Sequence, residues 1–322
     1  SGGGSAVAST AVRPKYAYFE GRIVPFEQAT ISVMNHTFNY GTGAFGGLRG
    51  YWNEDEQELF IFRPLDHFKR LLNSARLLTF ELDYTPQQLT DILFELLRAE
   101  GWRENIYIRP VVYVKNEQIG VKLHDLEYDI TMFSLPFGSY VPNEEGTSVT
   151  ISSWRRVDDN VIPARGKIIG AYVNSALIKT DAQRAGFDEA LVLNQDGHVS
   201  EGSAANFFML RDEEVITPPV TDNILEGITR RTVIQLLRHE MGLEVIERPI
   251  DRTEVYLAEE AFFCGTGVQI AAITSVDHRP IGTGRIGPVV SKLRELYFDV
   301  VTGRVEKYRF WNAPVYAPVA MD

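Results

Sequence analysis

The chain has 322 residues, and 32 Lys and Arg against 43 Asp and Glu give a formal charge of −11. That length suits about two domains of ordinary size, and 44% hydrophobic with 23% charged residues is a globular balance. An acidic chain without a basic tract excludes affinity through general counterion release, so no nucleic-acid partner is expected, and no apolar run approaches the roughly 18 residues of a membrane span.

Ser1-Gly2-Gly3-Gly4-Ser5 opens a stretch, residues 1–14, that reads as a flexible tail or an expression remnant outside the fold. Tyr16-Ala17-Tyr18-Phe19, a turn at Gly21-Arg22 and Ile23-Val24-Pro25 read as a hairpin. Leu59-Phe60-Ile61-Phe62 reads as a strand ending near Pro64. The segment from Asp66 through Leu78 then places Phe68, Leu71, Leu72, Ala75 and Leu78 on one helical face. The next helix is marked at both ends: Thr85 at N-cap, Pro86 at N1 and Gln88 at N3 form a capping box, and Gly101 closes it. Ile106 to Val114 is rich in β-branched and aromatic residues and reads as a strand carrying Tyr107 and Arg109.

From Pro136 to Gly146 the pattern lapses into Pro, Gly, Asn and Glu, the composition of an interdomain loop. A strand through Val149 to Trp154 restarts the order, followed by a helix from Gly170 to Ala185 that Gly186 ends. Glu189 to Asn194 and His198 to Ser200 flank Asp196-Gly197, a hairpin signal. A further strand pair leads to Gly227 and a helix over Thr229 to Glu240. Helices and strands alternate without a strict βαβ repeat, which predicts a mixed α/β or α+β fold. Cys264, the single cysteine, allows no internal disulfide; with no signal-peptide pattern at the start, a cytoplasmic protein is expected.

Gly41-Thr42-Gly43-Ala44-Phe45-Gly46 spells G-x-G-x-x-G, with acidic Asp66 about 20 residues further on, as in dinucleotide sites. The surroundings disagree. Such glycines open a helix, whereas Gly47-Leu48-Arg49-Gly50-Tyr51-Trp52 reads as strand and turn, and Asp66 falls at a helix start. A nicotinamide oxidoreductase is therefore disfavoured, and the run reads as a tight turn in which glycine lets another group approach the backbone.

Four features carry chemical promise. Lys167 precedes a helix among apolar residues, where an amine loses its charge easily and becomes a nucleophile; taken alone, a solvated lysine before a helix is clearly the better reading. Glu201 ends a hairpin before an apolar strand, and alone it is a turn residue. Leu225-Glu226-Gly227-Ile228-Thr229-Arg230 is a helix start with free N–H groups, able to hold phosphate or only water. Phe262-Phe263-Cys264 runs into Gly265-Thr266-Gly267, an anion nest or an ordinary turn.

Together these blocks form a pattern. Glu201-x-Ser203-x-x-Asn206-Phe207-Phe208, Val215-Ile216-Thr217 and Leu225-Glu226-Gly227-Ile228-Thr229-Arg230 follow one another in the order of the class IV aminotransferase signature. Tyr40-Gly41-Thr42-Gly43-Ala44-Phe45, Tyr107-Ile108-Arg109-Pro110, Ser152-Ser153-Trp154 and Tyr256-Leu257-Ala258 extend the match from about Tyr16 to Gly303. The chain thus resembles the fold type IV pyridoxal-phosphate enzymes, and most of all the branched-chain amino acid aminotransferases.

The resemblance implies a two-domain fold: a smaller N-terminal α/β domain at 15–136, an interdomain loop at 137–146, and a larger cofactor-binding domain at 147–322 with a β-barrel-like core. It implies pyridoxal 5'-phosphate as cofactor and no metal. Lys167 would hold the cofactor as a Schiff base and shuttle the substrate α-proton, and Glu201 would stand beside the pyridine nitrogen. Tyr172 would meet the phenolic oxygen. Arg70, Leu225, Gly227, Ile228, Thr229 and Thr266 would complete the cofactor set, largely around the phosphate. Tyr107, Arg109 and the Thr266-Gly267 amides would hold the substrate carboxylate, with Arg49 nearby. Phe45, Phe137, Tyr140 and Tyr172 would line the side-chain pocket. A homodimer or higher homo-oligomer with shared sites is implied, in which Tyr40 and the Ile119-Gly120-Val121 loop complete the neighbour's pocket.

The reaction implied is transamination between a branched-chain, hydrophobic L-amino acid and 2-oxoglutarate. Three positions depart from the family pattern: Gly46 follows Phe45 where a glutamate is usual, Gly267 replaces a commoner alanine, and Ala205 a frequent glutamate. They leave Lys167 and Glu201 untouched but predict a broadened range, with an (R)-amine or D-amino acid aminotransferase as the alternative. A lyase of the same fold fits the pocket blocks less well, and a catalytically silent binding protein is disfavoured by the intact Lys167 and Glu201.

Overall fold

The strand read at Ile106–Val114 forms over those residues and is the spine of a first sheet. The computed structural model describes residues 12–137 and 145–317. The first sheet contains β1 (Tyr16–Phe19), β2 (Arg22–Pro25), β3 (Ala44–Phe45), β4 (Leu48–Asn53), β5 (Glu58–Phe62), β6 (Ile106–Val114) and β7 (Tyr128–Pro136). β17 (Asn312–Pro314) joins them from the far end of the chain, giving the order β17-β5-β4-β6-β7-β1-β2, with β3 also on β6. β6 and β7 pair antiparallel from Ile106↔Pro136 to Val114↔Tyr128. Along β6 Ile106, Ile108 and Val112 are buried in the core, which leaves Tyr107, Arg109 and Val111 on the other face of the sheet.

That core is made by α2 (Pro64–Leu77) and α3 (Pro86–Glu100), which follow a short α1 (His36–Tyr40). α2 starts before the expected Asp66 because Pro64 occupies its first turn, where the missing N–H costs nothing. α3 is capped as its sequence predicts. Thr85 Oγ1 accepts from Gln88 N–H at 3.1 Å, Gln88 Oε1 accepts from Thr85 N–H at 2.9 Å, and Gly101 adopts φ +70°.

The second sheet is mixed, in the order β10-β9-β8-β15-β14-β11-β12-β13. Its strands are β8 (Thr147–Arg155), β9 (Glu189–Leu193), β10 (Val199–Gly202), β11 (Asn206–Arg211), β12 (Glu214–Thr217), β13 (Val245–Glu247), β14 (Glu260–Gly265) and β15 (Gln269–Val276), with β16 (Arg279–Pro280) on β15. Helices α4 (Tyr172–Arg184), α5 (Ile228–His239), α6 (Arg252–Val255) and α7 (Pro288–Val301) surround it. The predicted helix from Gly170 is a 3-10 turn at Ile169–Ala171 that continues as α4.

Phe208, Phe262, Val233, Leu237, Leu293 and Tyr297 pack between this sheet and α5 and α7. Tyr51 and Phe62 of the first sheet belong to the same cluster, so the two halves share buried surface. The fold is the expected mixed α/β architecture, with a curled second sheet. Among the described residues no helix is long and apolar enough to cross a membrane.

Candidate active site

A cavity of about 810 Å³ opens where the two sheets meet. Lys167 reaches it because its segment is stitched to the glycine run by backbone hydrogen bonds. Phe45 N–H donates to Lys167 O at 3.0 Å, Ile169 N–H to Gly43 O at 2.9 Å, and Gly170 N–H to Gly41 O at 3.1 Å. Gly41 has φ +69°, and a Cβ there would stand 2.8 Å from Gly170 Cα; a Cβ on Gly43 would stand 2.6 Å from Val112 O. The glycines therefore permit a close approach, as the sequence suggests, but the visitor is the chain itself. Ser74 Oγ accepts from Lys167 N–H at 3.0 Å and fixes the segment against α2.

The Lys167 amine lies 4.8 Å from the Phe45 ring centroid and 5.5 Å from that of Tyr172. Burial, then the guanidinium groups of Arg70 and Arg109, push its pKa down to about 7, against the opposing pull of Glu201. Burial also lifts the Tyr172 phenol to about 12, so it stays protonated.

Glu201 forms one end of the cavity. It is buried, and burial raises its carboxyl to about 7, opposed by Arg156, the Leu225 N–H, Lys167 and Arg230. Arg156 Nη2 stands 3.7 Å from Glu201 Oε1, and Asn206 Nδ2 donates to Glu201 Oε2 at 2.9 Å. Arg156 also donates to the carbonyl of Gly202, which fixes the guanidinium beside the carboxylate.

At another end α5 points its first turn into the cavity, where Gly227, Ile228 and Thr229 line the wall. Among the described residues no side chain caps this helix, which leaves its leading amides without a side-chain acceptor there. Arg70, from the middle of α2, lines the same region. His67, one turn earlier on α2, is kept neutral by burial and by Arg70, so it adds no charge there. Thr266 and Gly267 line the cavity from the turn after β14, whose carbonyls accept from Arg49 Nε and Nη2, both at 2.7 Å.

The mouth is aromatic and cationic. Arg109 donates to Tyr107 Oη at 2.9 and 3.2 Å and lies 4.6 Å from the Phe45 ring centroid. Tyr107 stacks on Phe137, and Val111, Phe133 and Leu135 continue an apolar wall along β6 and β7.

Arg70, Lys167, Tyr172, Glu201, Leu225, Gly227, Ile228, Thr229, Thr266, Gly267, Phe45, Tyr107, Arg109 and Phe137 thus line one cavity. Arg49 does not; it sits behind the Thr266-Gly267 turn, with its guanidinium 4.0 Å over the Phe137 ring. Tyr40 and Val121 lie off this cavity as well. Tyr40 Oη accepts from Gly120 N–H at 3.1 Å, and Val121 is 88% exposed. Tyr140 lies outside the described residues. Sequence reasoning missed Arg156 and Ser74. Ser74 follows Arg70 by four residues on α2, a spacing that places both on one face; Arg156 follows Arg155 with no such signal.

A family model described as amino-transferase class IV matches residues 50–276. A probable branched-chain-amino-acid aminotransferase of Aquifex aeolicus is 47% identical over 94% of this chain and 97% of its own length. The crystal structure of a branched-chain amino acid aminotransferase from Thermobaculum terrenum in its PLP form superposes with a TM-score of 0.91 at 39% identity, covering 95% of this chain and 99% of that one. The crystal structure of a branched-chain aminotransferase from the thermophilic archaeon Thermoproteus uzoniensis, with norvaline, gives a TM-score of 0.89 at 40% identity, covering 94% of this chain and 100% of that one.

Proposed function

The chain belongs to the class IV aminotransferases, and on that premise we infer that it moves the amino group of branched-chain L-amino acids to 2-oxoglutarate with pyridoxal 5'-phosphate. The observation that carries this reading is a buried amine of lowered pKa facing a cavity that also contains a buried carboxylate and an uncapped helix start. That donor set fits the cofactor at three points. Lys167 suits its aldehyde, Glu201 its ring nitrogen, and Arg70 with the Ile228 and Thr229 amides its phosphate. When bound, the cofactor supplies an electron sink for the charge left as the substrate α-proton departs.

The chain's own residues do the rest. Lys167 Nζ, uncharged above about pH 7, takes the α-proton and later returns it as the acid form. Glu201 holds the proton on the ring nitrogen by pairing an anion with it, and Arg156 and the Leu225 N–H favour that anion. The Tyr172 phenol, kept protonated by burial, would donate to the cofactor's phenolic oxygen. Arg109 and Tyr107 bind carboxylate at the mouth, and the Phe45, Val111 and Phe133 wall excludes water from the reacting carbon.

The second reading, an (R)-amine or D-amino acid aminotransferase, is favoured by Gly46. Gly46, between the cavity-lining Phe45 and Gly47, leaves this position without the carboxylate usual in the family, and a Cβ there would meet the Pro110 ring at 3.1 Å. The two sheets support a division into domains at 15–136 and 147–322, with β17 returning to the first. A homodimer with shared sites is supported by Tyr40 and Val121 lying off their own cavity, next to the exposed Phe38 and Ile119. A cytoplasmic setting accords with the single buried Cys264. Turnover of L-leucine, D-alanine and (R)-1-phenylethylamine tests the assignment. L-leucine with 2-oxoglutarate yields glutamate, and Lys167→Ala yields none. A cofactor-loaded protein inert toward every branched-chain amino acid would refute it, and inactivity toward both other amines would remove the second reading.

A further inference from the structure

Asn206 begins β11, buried to 5% exposure, opposite Cys264 on β14. Its amide nitrogen has two protons, and both are used: one on Glu201 Oε2 at 2.9 Å, the other on Leu225 O at 2.9 Å. The orientation is fixed by chemistry, because a flipped amide would set its oxygen against a carboxylate and a carbonyl. Leu225 N–H closes the ring by donating back to Glu201 at 3.3 Å. The amide oxygen then lies over Gly227, where a Cβ would overlap Asn206 Oδ1; with φ −66° and ψ 141°, Gly227 owes its identity to this contact and not to backbone strain.

One side chain thus touches the carboxylate at the ring end and the loop that launches α5 at the phosphate end. Neither group can shift without stretching a buried hydrogen bond, which leaves a polar atom unsatisfied. Resting on the cofactor reading above, we propose that Asn206 is a positioning residue that couples the two ends of the site, so that filling one end organises the other. Its role is transmitted through Glu201 and Leu225. It needs no contact with the reacting atoms.

The coupling is measurable on the apoprotein with two half-sized probes, pyridoxal and inorganic phosphate. Pyridoxal uptake is followed by visible absorbance, phosphate binding by calorimetry, each alone and with the other saturating. Phosphate is expected to tighten pyridoxal binding about tenfold in the wild type, a common size for coupling between sites. In Asn206→Ala that factor falls to about one, whatever happens to the melting temperature. Gly227→Ala provides the same test should Asn206→Ala not fold. It displaces the amide from the phosphate end, yet it should weaken pyridoxal, which carries no phosphate. Failure of the apoprotein to take up pyridoxal phosphate at all would remove the cofactor reading, and this proposal with it. Binding of both probes without mutual tightening in the wild type would overturn the role of Asn206 alone. So would wild-type tightening in Asn206→Ala, or unchanged pyridoxal affinity in Gly227→Ala.

Discussion

Replacing Arg156 by methionine isolates what holds Glu201 ionised. The guanidinium stands 3.7 Å from the carboxylate, and both side chains are 9% exposed, so bulk water screens the pair little. At an effective dielectric of about 20, a pair at that distance is worth about 4 kcal/mol, or roughly three pKa units. Glu201 already titrates near 7 because burial opposes its charge. Without Arg156 its pKa rises further, and at neutral pH the protonated carboxyl cannot pair with a cationic ring nitrogen. Turnover should fall on the order of 10²-fold at pH 7.5 and recover as the pH is raised, since the ionised form returns at high pH. Arg156→Lys keeps the charge and should restore most of the neutral-pH rate. In a Glu201→Gln background, Arg156→Met should cost little more, because its target is gone. The assay is kcat against pH for all four variants. An Arg156→Met enzyme with a wild-type profile would refute the assignment of Arg156 as the counter-charge.

Lys167 gives a stability prediction with a definite sign. Its folded pKa of about 7 lies below the ordinary 10.5, so below pH 7 the folded chain carries the full penalty of a buried cation. Between those values the unfolded chain binds more protons, and stability rises with pH. Apoprotein carrying Lys167→Met should therefore resist urea better than wild type at pH 6, by about 3–5 kcal/mol, with the gap closing toward pH 10.5; a gap independent of pH would contradict this. Gly47→Ala puts a Cβ 2.7 Å from Tyr107 Oη and 3.2 Å from its ring, displacing the acceptor of two Arg109 hydrogen bonds. Loss of about one such bond raises KM for both substrates roughly tenfold and leaves pyridoxal-phosphate affinity near wild type; steady-state kinetics with unchanged KM would count against a carboxylate site at Arg109.

The sequence made some elements legible because local rules and tertiary packing agree there. Thr85, Pro86, Gln88 and Gly101 bracket α3, and the alternation along Ile106–Val114 sorts core residues from cavity residues without any partner. β7 escaped notice because Asp129, Thr131 and Ser134 interrupt its apolar residues, and only the pairing with β6 makes it a strand. α7 announces itself with Pro288 at its first turn, yet it follows a run of glycines that reads as loop. At the site, the family pattern pointed to the residues that face the cavity, whereas those behind them were harder to find. Arg49 was expected at the substrate and instead braces the Thr266-Gly267 turn, a role that depends on which face of β4 meets the second sheet. Arg155 is exposed and Arg156 buried because β8 ends between them, and no local pattern distinguishes two adjacent arginines.

The stitching of Lys167 to the glycine run has a consequence in time. In an unfolded chain residue 167 is an ordinary, protonated lysine, since burial, and then Arg70 and Arg109, act on it only once its segment lies against Gly41–Phe45. Glu201 and the α5 start are synthesised later still, and the strand that closes the first sheet, β17, comes almost last. Until that segment docks, the amine is an ordinary lysine, charged at neutral pH. It becomes a nucleophile when its segment docks on Gly41–Phe45, and the pocket that uses it is complete only once Glu201 and the α5 start have joined.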